Sequence, residues 1–350
     1  MMAYPVLTGA VLIEANGAAL NNAGLEEGRR VENAIVVKQI RIGRLRFPYV
    51  SGQAWRRWWR EVLYEDFGWT PSPVTREEKS AYTEGNPIAY EEDDLFGYMV
   101  ARKRGRTAGT FRRISPLKTS LLISVLPNVI SDDFGHFSRN LPPGTDIIPF
   151  EAEHYTTWLQ GVFTISLTDV GRFMVGEMYD LPEELAQSNG GELEPEGTDG
   201  RVYRLPKDRR IKRVQQVVKA LARLRGGARL SRNLSDVNPV VVLVGFLDGG
   251  NAPFQRLFEP DENNERVVLN LKRLESVLND YKERVLKPAD TAKALYFGYR
   301  PTVLANEEEV LGAFGKESPF NECIEVVGTP QQALEKAADQ VAPVFDRYLS

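Results

Sequence analysis

The sequence Ser51-Gly-Gln-Ala-Trp-Arg-Arg-Trp-Trp-Arg60 predicts a helix with two chemically different faces. Large apolar residues recur at i, i+3, i+4 and i+7, on one helical face: Trp55, Trp58, Trp59 and Val62. A second row keeps this spacing two residues earlier, about 200° around the helix: Gln53, Arg56, Arg57 and Arg60. We therefore expect a helix over Gln53–Tyr64, capped by Ser51, with the Trp row in the core and the Arg row on the surface.

Outward from this helix, β-branched apolar runs alternate with helix-like sequence. The elements follow the order strand, helix, strand, strand, helix, strand, which is that of the ferredoxin-like or RRM-like βαββαβ fold. The predicted elements are Tyr4–Ala15, Gln53–Tyr64, Ser120–Leu126, Thr156–Leu167, Ile211–Leu224 and Pro239–Leu247. The sequence thus predicts an α+β fold that is interrupted by insertions.

The connecting segments carry weaker signals. Ala34–Phe47 is predicted to be extended, with Gly43 at a bulge. The Pro-, Asp- and Asn-rich Pro127–His154 predicts a long loop, and the Gly- and Pro-rich Leu181–Asp208 predicts a linker or protrusion. Two amphipathic helices are predicted near the C-terminus: Val267–Val285 and Pro330–Leu349.

The charge of the chain is strongly segregated although its formal net charge is only -4. Three segments together hold 26 of the 44 Lys and Arg residues but one of the 48 Asp and Glu residues: Asn33–Arg60, Ala101–Lys118 and Arg201–Arg232. Solvated helix faces usually mix both signs, because neighbouring like charges repel. Segments without acids therefore favour a polyanionic partner such as a nucleic acid.

Other residue types exclude several classes of function. The single Cys323 cannot form an intramolecular disulfide, and His136 and His154 lack the spacing of a zinc site. Glu91–Asp94 is predicted to be a solvated turn in which Asp94 caps the next helix, rather than a catalytic cluster. With no basic-then-apolar leader, no membrane-length apolar run and no phosphate-binding glycine motif, we expect a soluble, cytoplasmic protein without a cofactor or membrane partner.

The run Pro48-Tyr-Val-Ser-Gly-Gln-Ala-Trp-Arg56 resembles the hallmark of the DevR branch of the Cascade backbone family. These proteins are the repeated "Cas seven" subunits of type I CRISPR complexes, and the resemblance points to type I-B. Four further motifs match in the expected order: Asn21-Asn22-Ala-Gly24, Glu92–Met99, Arg113–Ser120 and Gly226-Gly-Ala-Arg229. The resemblance spans roughly residues 4–250 and does not extend to residues 251–350.

This resemblance implies an RRM-like palm with large finger and thumb insertions. Residues 1–64, 156–180 and 211–250 would form the palm, and residues 65–155 the fingers, with a palm strand returning near residues 120–126. Residues 181–210 would form the thumb, and residues 251–350 a C-terminal helical extension. Such subunits stack in many copies along the guide RNA (crRNA), beside other Cascade subunits, and present it to target DNA. They are not enzymes.

The resemblance and the charge pattern each predict RNA contacts. By resemblance, the contacts to guide phosphates are Ser51, Gln53, Arg56, Arg57, Arg60 and Arg229. Arg forms bidentate bonds to phosphate, and the free N–H groups of a helix start also attract anions. The charge pattern adds Lys38, Arg41, Arg44, Arg46, Arg112, Arg113 and Lys118. Together they predict a grip on the sugar-phosphate backbone that is independent of base sequence.

Two alternative functions remain open. Related backbone subunits of type III complexes are metal-dependent RNA endonucleases with an aspartate in the loop after the first strand. Here that loop, Asn16–Arg30, contains Glu26 and Glu27 but no Asp, which argues against this activity. A transcriptional regulator is the other alternative, although the sequence shows no helix-turn-helix signature.

Overall fold

The computed structural model describes residues 3–25, 34–77, 80–102, 109–137, 139–142, 144–176, 178–188, 193–196, 201–315 and 318–349. Within them the chain forms a mixed α+β fold. The strands are β1 Pro5–Ala18, β2 Asn22–Leu25, β3 Ala34–Val37, β4 Gln39–Ile42, β5 Leu45–Val50, β6 Val74–Glu77, β7 Ser80–Thr83, β8 Tyr98–Arg102, β9 Gly109–Arg113, β10 Leu117–Thr119, β11 Leu122–Ser124, β12 Ile130–Phe137, β13 Ile148–Ser166, β14 Arg172–Met174, β15 Glu194–Glu196, β16 Val202–Arg204, β17 Pro239–Asp248, β18 Phe258–Pro260, β19 Val267–Leu269, β20 Leu295–Tyr299 and β21 Ile324–Gly328. The helices are α1 Gly52–Phe67, α2 Glu91–Phe96, α3 Glu183–Ser188, α4 Lys207–Leu221, α5 Leu271–Asp280, α6 Glu307–Ala313, α7 Pro330–Asp339 and α8 Val341–Tyr348.

The largest sheet organises the protein, with the strand order β21-β20-β17-β1-β13-β11-β5-β4. Its centre is β17-β1-β13-β11, where every neighbouring pair is antiparallel. These four strands coincide with the four that the sequence predicts. β1 and β17 are buried on both faces, which explains why they read as almost continuous apolar runs rather than as alternating patterns.

One face of this sheet is covered by α1, α4, α7 and α8. The Trp row of α1 lies in this core, as its spacing predicts, with Trp55 and Trp59 fully buried. The two indole N–H groups still find acceptors, since Trp55 donates to the Ser120 carbonyl at 2.9 Å and Trp59 to the Val217 carbonyl at 2.8 Å. These bonds attach α1 both to the segment that leads into β11 and to α4.

The C-terminal region covers part of the opposite face and also widens the sheet. Phe254, Phe258, Phe297 and Phe314 belong to a second apolar core there. The predicted C-terminal helical extension contains strands as well as helices, because β20 and β21 continue the sheet beyond β17 and residues 267–269 form β19 before α5 begins. The helix predicted over Pro330–Leu349 covers the observed helical residues, although the structure divides it into α7 and α8.

The connecting segments contain more strand than the sequence suggests. Gly43 is not a bulge: Ile42 pairs with Leu45, so Gly43, with φ +61°, occupies a two-residue hairpin turn between β4 and β5. Much of the loop predicted over 127–154 is an antiparallel ladder of β12 with β13. The predicted protrusion contains α3, β15 and β16, with residues 189–192 and 197–200 outside the described residues.

The acidic run at α2 is not a solvated turn, because Glu92, Asp93 and Asp94 are all buried. Asp94 does not cap a helix; it forms ion pairs with Arg113 and, at 2.6 Å, with Arg213. Its carboxylate also accepts the Gly171 N–H at 3.0 Å. Burial alone would lower the pKa of Arg113, but Asp94 and Asp180 raise it above the ordinary value. Asp94 therefore joins residues 65–155, called the insertion from here on, to α4 and to the segment after β13.

No helix among the described residues is long and apolar enough to span a membrane.

We expect Asp94→Asn to lower the free energy of unfolding by about 3–5 kcal/mol, because the amide removes the carboxylate that pairs with the buried Arg213 and leaves the buried Arg113 with Asp180 alone. Urea unfolding followed by Trp fluorescence measures this loss. Asp290→Asn is the control, since Asp290 pairs with Arg347 on the surface and its loss should change stability little. Equal losses in the two variants would contradict the role of Asp94.

Candidate nucleic-acid interface

The start of α1 is held by Asn21, which follows the first strand. Ser51 caps the helix as predicted, and its hydroxyl accepts the Ala54 N–H at 3.3 Å. The Ser51 N–H donates to the Asn21 side chain at 3.0 Å, while the Asn21 carbonyl accepts the Lys38 N–H at 2.9 Å. The first N–H groups of a helix lack intrahelical acceptors and carry partial positive charge, which suits an anion.

The Gly-Gly-Ala-Arg loop reaches the same place. The Ala228 N–H donates to the Leu20 carbonyl at 3.0 Å, directly before Asn21. Gly226, with φ +152°, lies so close to Trp58 that any Cβ would overlap the indole ring. Glycine is therefore required here for packing as well as for backbone conformation. The contacts of Leu20 and Asn21 thus bring three of the predicted motifs together.

Arg229 follows this loop in a conformation that is unusual for a side chain of its size. Its φ is +58°, in the left-handed region. Its Nη1 atom is buried and has no hydrogen-bond partner among the described residues, and the same holds for Oδ1 of the neighbouring motif's Asn22. Unsatisfied buried polar groups and backbone strain are both enriched at functional sites.

The β4–β5 hairpin adds exposed arginines on the side of the sheet that carries α1. Val50 of β5 packs in the core around α1, so by alternation Arg46 faces the same side. Arg41 pairs directly with Arg46, and both are exposed, as is Arg44 in the turn. Like charges opposite each other on two strands are destabilising, and a bound anion would relieve this repulsion.

The arginines of α1 differ in what they can bind. Arg57 is the most accessible, with 72% of its side chain exposed and an i,i+4 ion pair to Glu61 at 2.8 Å. Arg60 lies over the Phe96 ring, 3.9 Å from the Glu92 carboxylate. Gln53 is exposed at the first turn. Of the predicted row, Gln53 and Arg57 therefore offer the most open contacts.

Arg56 does not lie on an open surface. Its guanidinium donates to the carbonyls of Leu117 and, at 2.9 Å, Phe96, and to the Ser115 hydroxyl at 3.0 Å. Burial, with a smaller contribution from Arg60, lowers the pKa of Arg56 to about 10. Arg56 thus fixes α1 to the insertion, and its predicted phosphate contact does not fit this placement.

The fold places the cations of the second basic segment, Ala101–Lys118, in different environments. Arg113 is buried against Asp94, so the prediction that it contacts RNA does not fit the structure. Arg112 is exposed on β9. Lys118 is exposed too, but its neighbour Leu117 points into the core beside α1, so Lys118 faces the opposite side of the sheet. Residues 103–108 lie outside the described residues.

Much of the third basic segment has structural partners. Arg210 and Arg213 are buried, and Arg225 forms ion pairs with Glu65 at 2.6 Å and Asp66 at 2.7 Å.

Asn21 belongs to a motif that the sequence analysis quoted, but it was not predicted as a site residue. The basic surface is defined as the following residues of β4, β5, α1 and the neighbouring loops: Lys38, Arg41, Arg44, Arg46, Ser51, Gln53, Arg57, Arg60 and Arg229.

Comparison with known proteins agrees with the motifs. The model of the CRISPR-associated negative auto-regulator DevR/Csa2 family matches residues 9–265, most of the chain. The chain belongs to this family. The family predicted from the sequence motifs is thereby confirmed, whereas the type I-B subtype stays a prediction. The match ends shortly after the segment that the resemblance covers, and leaves residues 266–350 outside it.

Solved structures share the fold of this DevR/Csa2 chain. A chain of a CRISPR RNA-guided surveillance complex aligns with a TM-score of 0.52 at 12% identity, covering 95% of this chain and 98% of that chain. A chain of a surveillance complex described as pre-nicking aligns with a TM-score of 0.53 at 11% identity, covering 96% and 100%. At such identities the likeness concerns the fold alone. No curated protein matches the sequence.

Metal-ligating residues do not cluster in the described part of this DevR/Csa2 chain: no group of three His, Cys, Asp or Glu residues there could hold an ion. Glu26 and Glu27, the acids in the loop after the first strand, lie outside the described residues. The endonuclease alternative therefore has to be addressed by experiment.

We expect Gly226→Ala to lower the free energy of unfolding by about 1–3 kcal/mol, because the added methyl group overlaps Trp58 in a packed core. Thermal or urea unfolding measures the change. Gly249→Ala is the matched control: Gly249 also has positive φ, at +99°, but nothing lies within 4 Å of its added Cβ. If both variants lost the same stability, backbone conformation rather than the contact with Trp58 would explain the glycine.

Proposed function

We propose that this chain is the guide-RNA-binding backbone subunit of a CRISPR surveillance complex. It would oligomerise along the crRNA and present that RNA for pairing with target DNA, without catalysing a reaction. The observation that carries the proposal is the convergence of three motifs at Leu20 and Asn21, which brings Lys38 and Arg229 to the start of α1. The proposed partners are the crRNA, the target strand, further copies of the chain and other subunits of the complex.

The chemistry of the basic surface suits a phosphodiester backbone. It combines three features: the N-terminus of α1, Arg41 and Arg46 opposite each other on β4 and β5, and the exposed Arg57. Guanidinium groups bind phosphate oxygens in bidentate geometry and carry no information about base sequence. A guide must hold many different spacer sequences with its base edges free, and contacts to phosphate meet both requirements.

The strand order supports an RRM-like palm that works differently from an ordinary RRM. In β17-β1-β13-β11 the strands follow the order four, one, three, two of a βαββαβ unit, with α1 and α4 as its helices. RRM proteins stack bases on aromatic residues of the free sheet face. Here Phe254, Phe258 and Phe297 of the C-terminal region belong to a core on that face. RNA would therefore bind on the other side, around the start of α1.

The comparisons add support at the level of the assembly. The family description names a CRISPR-associated protein, and the two solved structures are RNA-guided surveillance complexes. Alignment over nearly the full length of both chains, including the C-terminal region, is what a subunit of such a complex would give. The finger and thumb functions of residues 65–155 and 181–210 belong to the same proposal.

We expect Arg41→Ala with Arg46→Ala to weaken binding of single-stranded RNA about equally for unrelated sequences. Two lost phosphate contacts should reduce the slope of log K against log salt by about 1–2. Fluorescence anisotropy at several salt concentrations measures both quantities. Arg273→Ala with Arg347→Ala is the charge-matched control, because both residues are exposed on α5 and α8 and belong to other ion pairs.

An unchanged slope in the Arg41 and Arg46 variant would contradict the basic surface. Arg56→Ala is unsuitable for this test, since it removes three hydrogen bonds of the fold. Two further assays address the alternatives. Cleavage of bound RNA with Mg²⁺, lost in Glu26→Ala or Glu27→Ala, would contradict a non-catalytic role. Preference for duplex DNA of one sequence would favour a regulator.

A further inference from the structure

An apolar groove lies on the sheet face opposite α1. It has a volume of about 380 Å³ and runs between the β4–β5 hairpin and the segment 254–260. Its apolar walls include Ile40, Ile42, Phe47, Ile123, Phe254 and Phe258. The size is in the range of about 300–1,000 Å³ that binding pockets occupy. The groove is thus large enough to receive several side chains of a partner.

The hairpin that forms one wall is amphipathic. Ile42 pairs with Leu45 and Ile40 with Phe47, so these four residues face the groove side, while Arg41 and Arg46 face the other side. Ile42 is 62% exposed and Leu45 is exposed too. A wall of exposed β-branched and aromatic residues is unsuited to a phosphate backbone. The groove therefore fits an apolar protein surface, separate from the basic surface.

Charge beside the groove restricts the partner further. The turn 259–265, which continues from its second wall, carries Asp261, Glu262 and Glu265 and no basic residue, besides Glu259, which pairs with Arg273 at 3.1 Å. Arg256 is the cation among the residues that line the groove. A partner that combines apolar side chains with a positive charge at their edge would match this arrangement.

The same chain carries a surface of that composition where β8 and β9 meet the turn 176–180. Met99 is 64% exposed and pairs with Arg112 across the β8–β9 hairpin, so both side chains lie on one face. Met178, 55% exposed, and Tyr179 lie beside β9, because the Met178 N–H donates to the Thr110 carbonyl and the Arg112 N–H to the Tyr179 carbonyl. We call Met99, Arg112, Met178 and Tyr179 the ridge.

Hydrogen bonds hold the ridge in a strained backbone conformation. Met178 has φ +67°, which is uncommon for a residue other than glycine. The turn is fixed by the Tyr179 N–H, which donates to the Gly176 carbonyl at 3.2 Å, and by the Tyr98 hydroxyl, which donates to the Asp180 carbonyl. A strained turn that exposes Met and Tyr beside Arg matches the residue types enriched in protein interfaces.

We propose that the groove of one copy receives the ridge of a second copy of this chain. The proposal rests on the proposed function and specifies how its copies meet. Apolar residues would fill the groove, and Arg112 would lie near the acidic turn 259–265. A second exposed apolar residue, Phe134 on β12, is less suitable, because Asp132 on the same face of that strand would face those acids.

The geometry of this contact has a consequence for assembly. The groove and the ridge are different surfaces, so their contact is heterologous and leaves a free groove and a free ridge on the outer copies. Such a contact extends into an open row rather than closing as a dimer. An open row is the arrangement that a coat along an RNA strand requires, and the groove lies on the side away from the basic surface.

Cysteine cross-linking between two differently tagged chains tests the contact. Cys323→Ser gives a background without other cysteines, since Cys323 is the only one in the sequence. One chain carries Ile42→Cys and the other Met178→Cys, and both are mixed with RNA under mild oxidation. A disulfide needs Cα atoms within about 7 Å, so only a close contact reacts. We expect a mixed dimer from this pair.

The control replaces Met178→Cys with Val74→Cys, an equally exposed apolar position outside both surfaces, and should give no mixed dimer. In a second measurement, Ile42→Asp should weaken self-association by at least about tenfold, because it buries a charge in an apolar contact, whereas Val74→Asp should not. Circular dichroism verifies that the variants are folded.

Two results would overturn the inference: cross-linking of Ile42→Cys to Phe134→Cys instead of Met178→Cys, or no cross-link although RNA-bound oligomers form. Neither affects the proposed RNA contact, which the salt slope of the Arg41 and Arg46 variant measures on its own. Failure of RNA binding itself would count against the proposed function and would be seen before any cross-link is attempted.

Discussion

Asp94 and the two arginines that bind it connect the parts of this protein that contribute to its site. Arg113 comes from the insertion, Arg213 from α4, and the Gly171 N–H from the segment after β13, and all three donate to one buried carboxylate. Each guanidinium would be costly to bury alone, so the charges are stable only together. The insertion is therefore held in a fixed position against α4, and α4 against α1 and the sheet.

The abundance of arginine has two physical causes in this chain, and charge counting cannot separate them. A guanidinium has five N–H donors, so it can satisfy several carbonyls at the ends of strands and helices. Arg210 does this for the carbonyls of Leu167, Thr168 and Val170, and Arg56 for those of Leu117 and Phe96. Burial removes such arginines from the set that could bind a ligand, whereas Arg41, Arg46 and Arg57 remain exposed.

The β4–β5 hairpin carries two kinds of side chain, one on each of its faces. Successive residues of a strand point to opposite faces, so a single hairpin can present arginines to one side and isoleucines to the other. In the functions proposed above, the first face would bind RNA and the second a neighbouring copy. One local element would then couple the spacing of subunits to the strand that they bind.

The sequence by itself determined those features that depend on local spacing. The period of Trp55, Trp58 and Trp59 identified the buried face of α1, Ser51 identified its cap, and the apolar runs identified the four central strands, because side-chain periodicity and capping act within one element. Tertiary structure alone decided which arginines meet Asp94 and that residues of the C-terminal region add β20 and β21. These outcomes depend on partners distant in sequence, whose position no local pattern encodes.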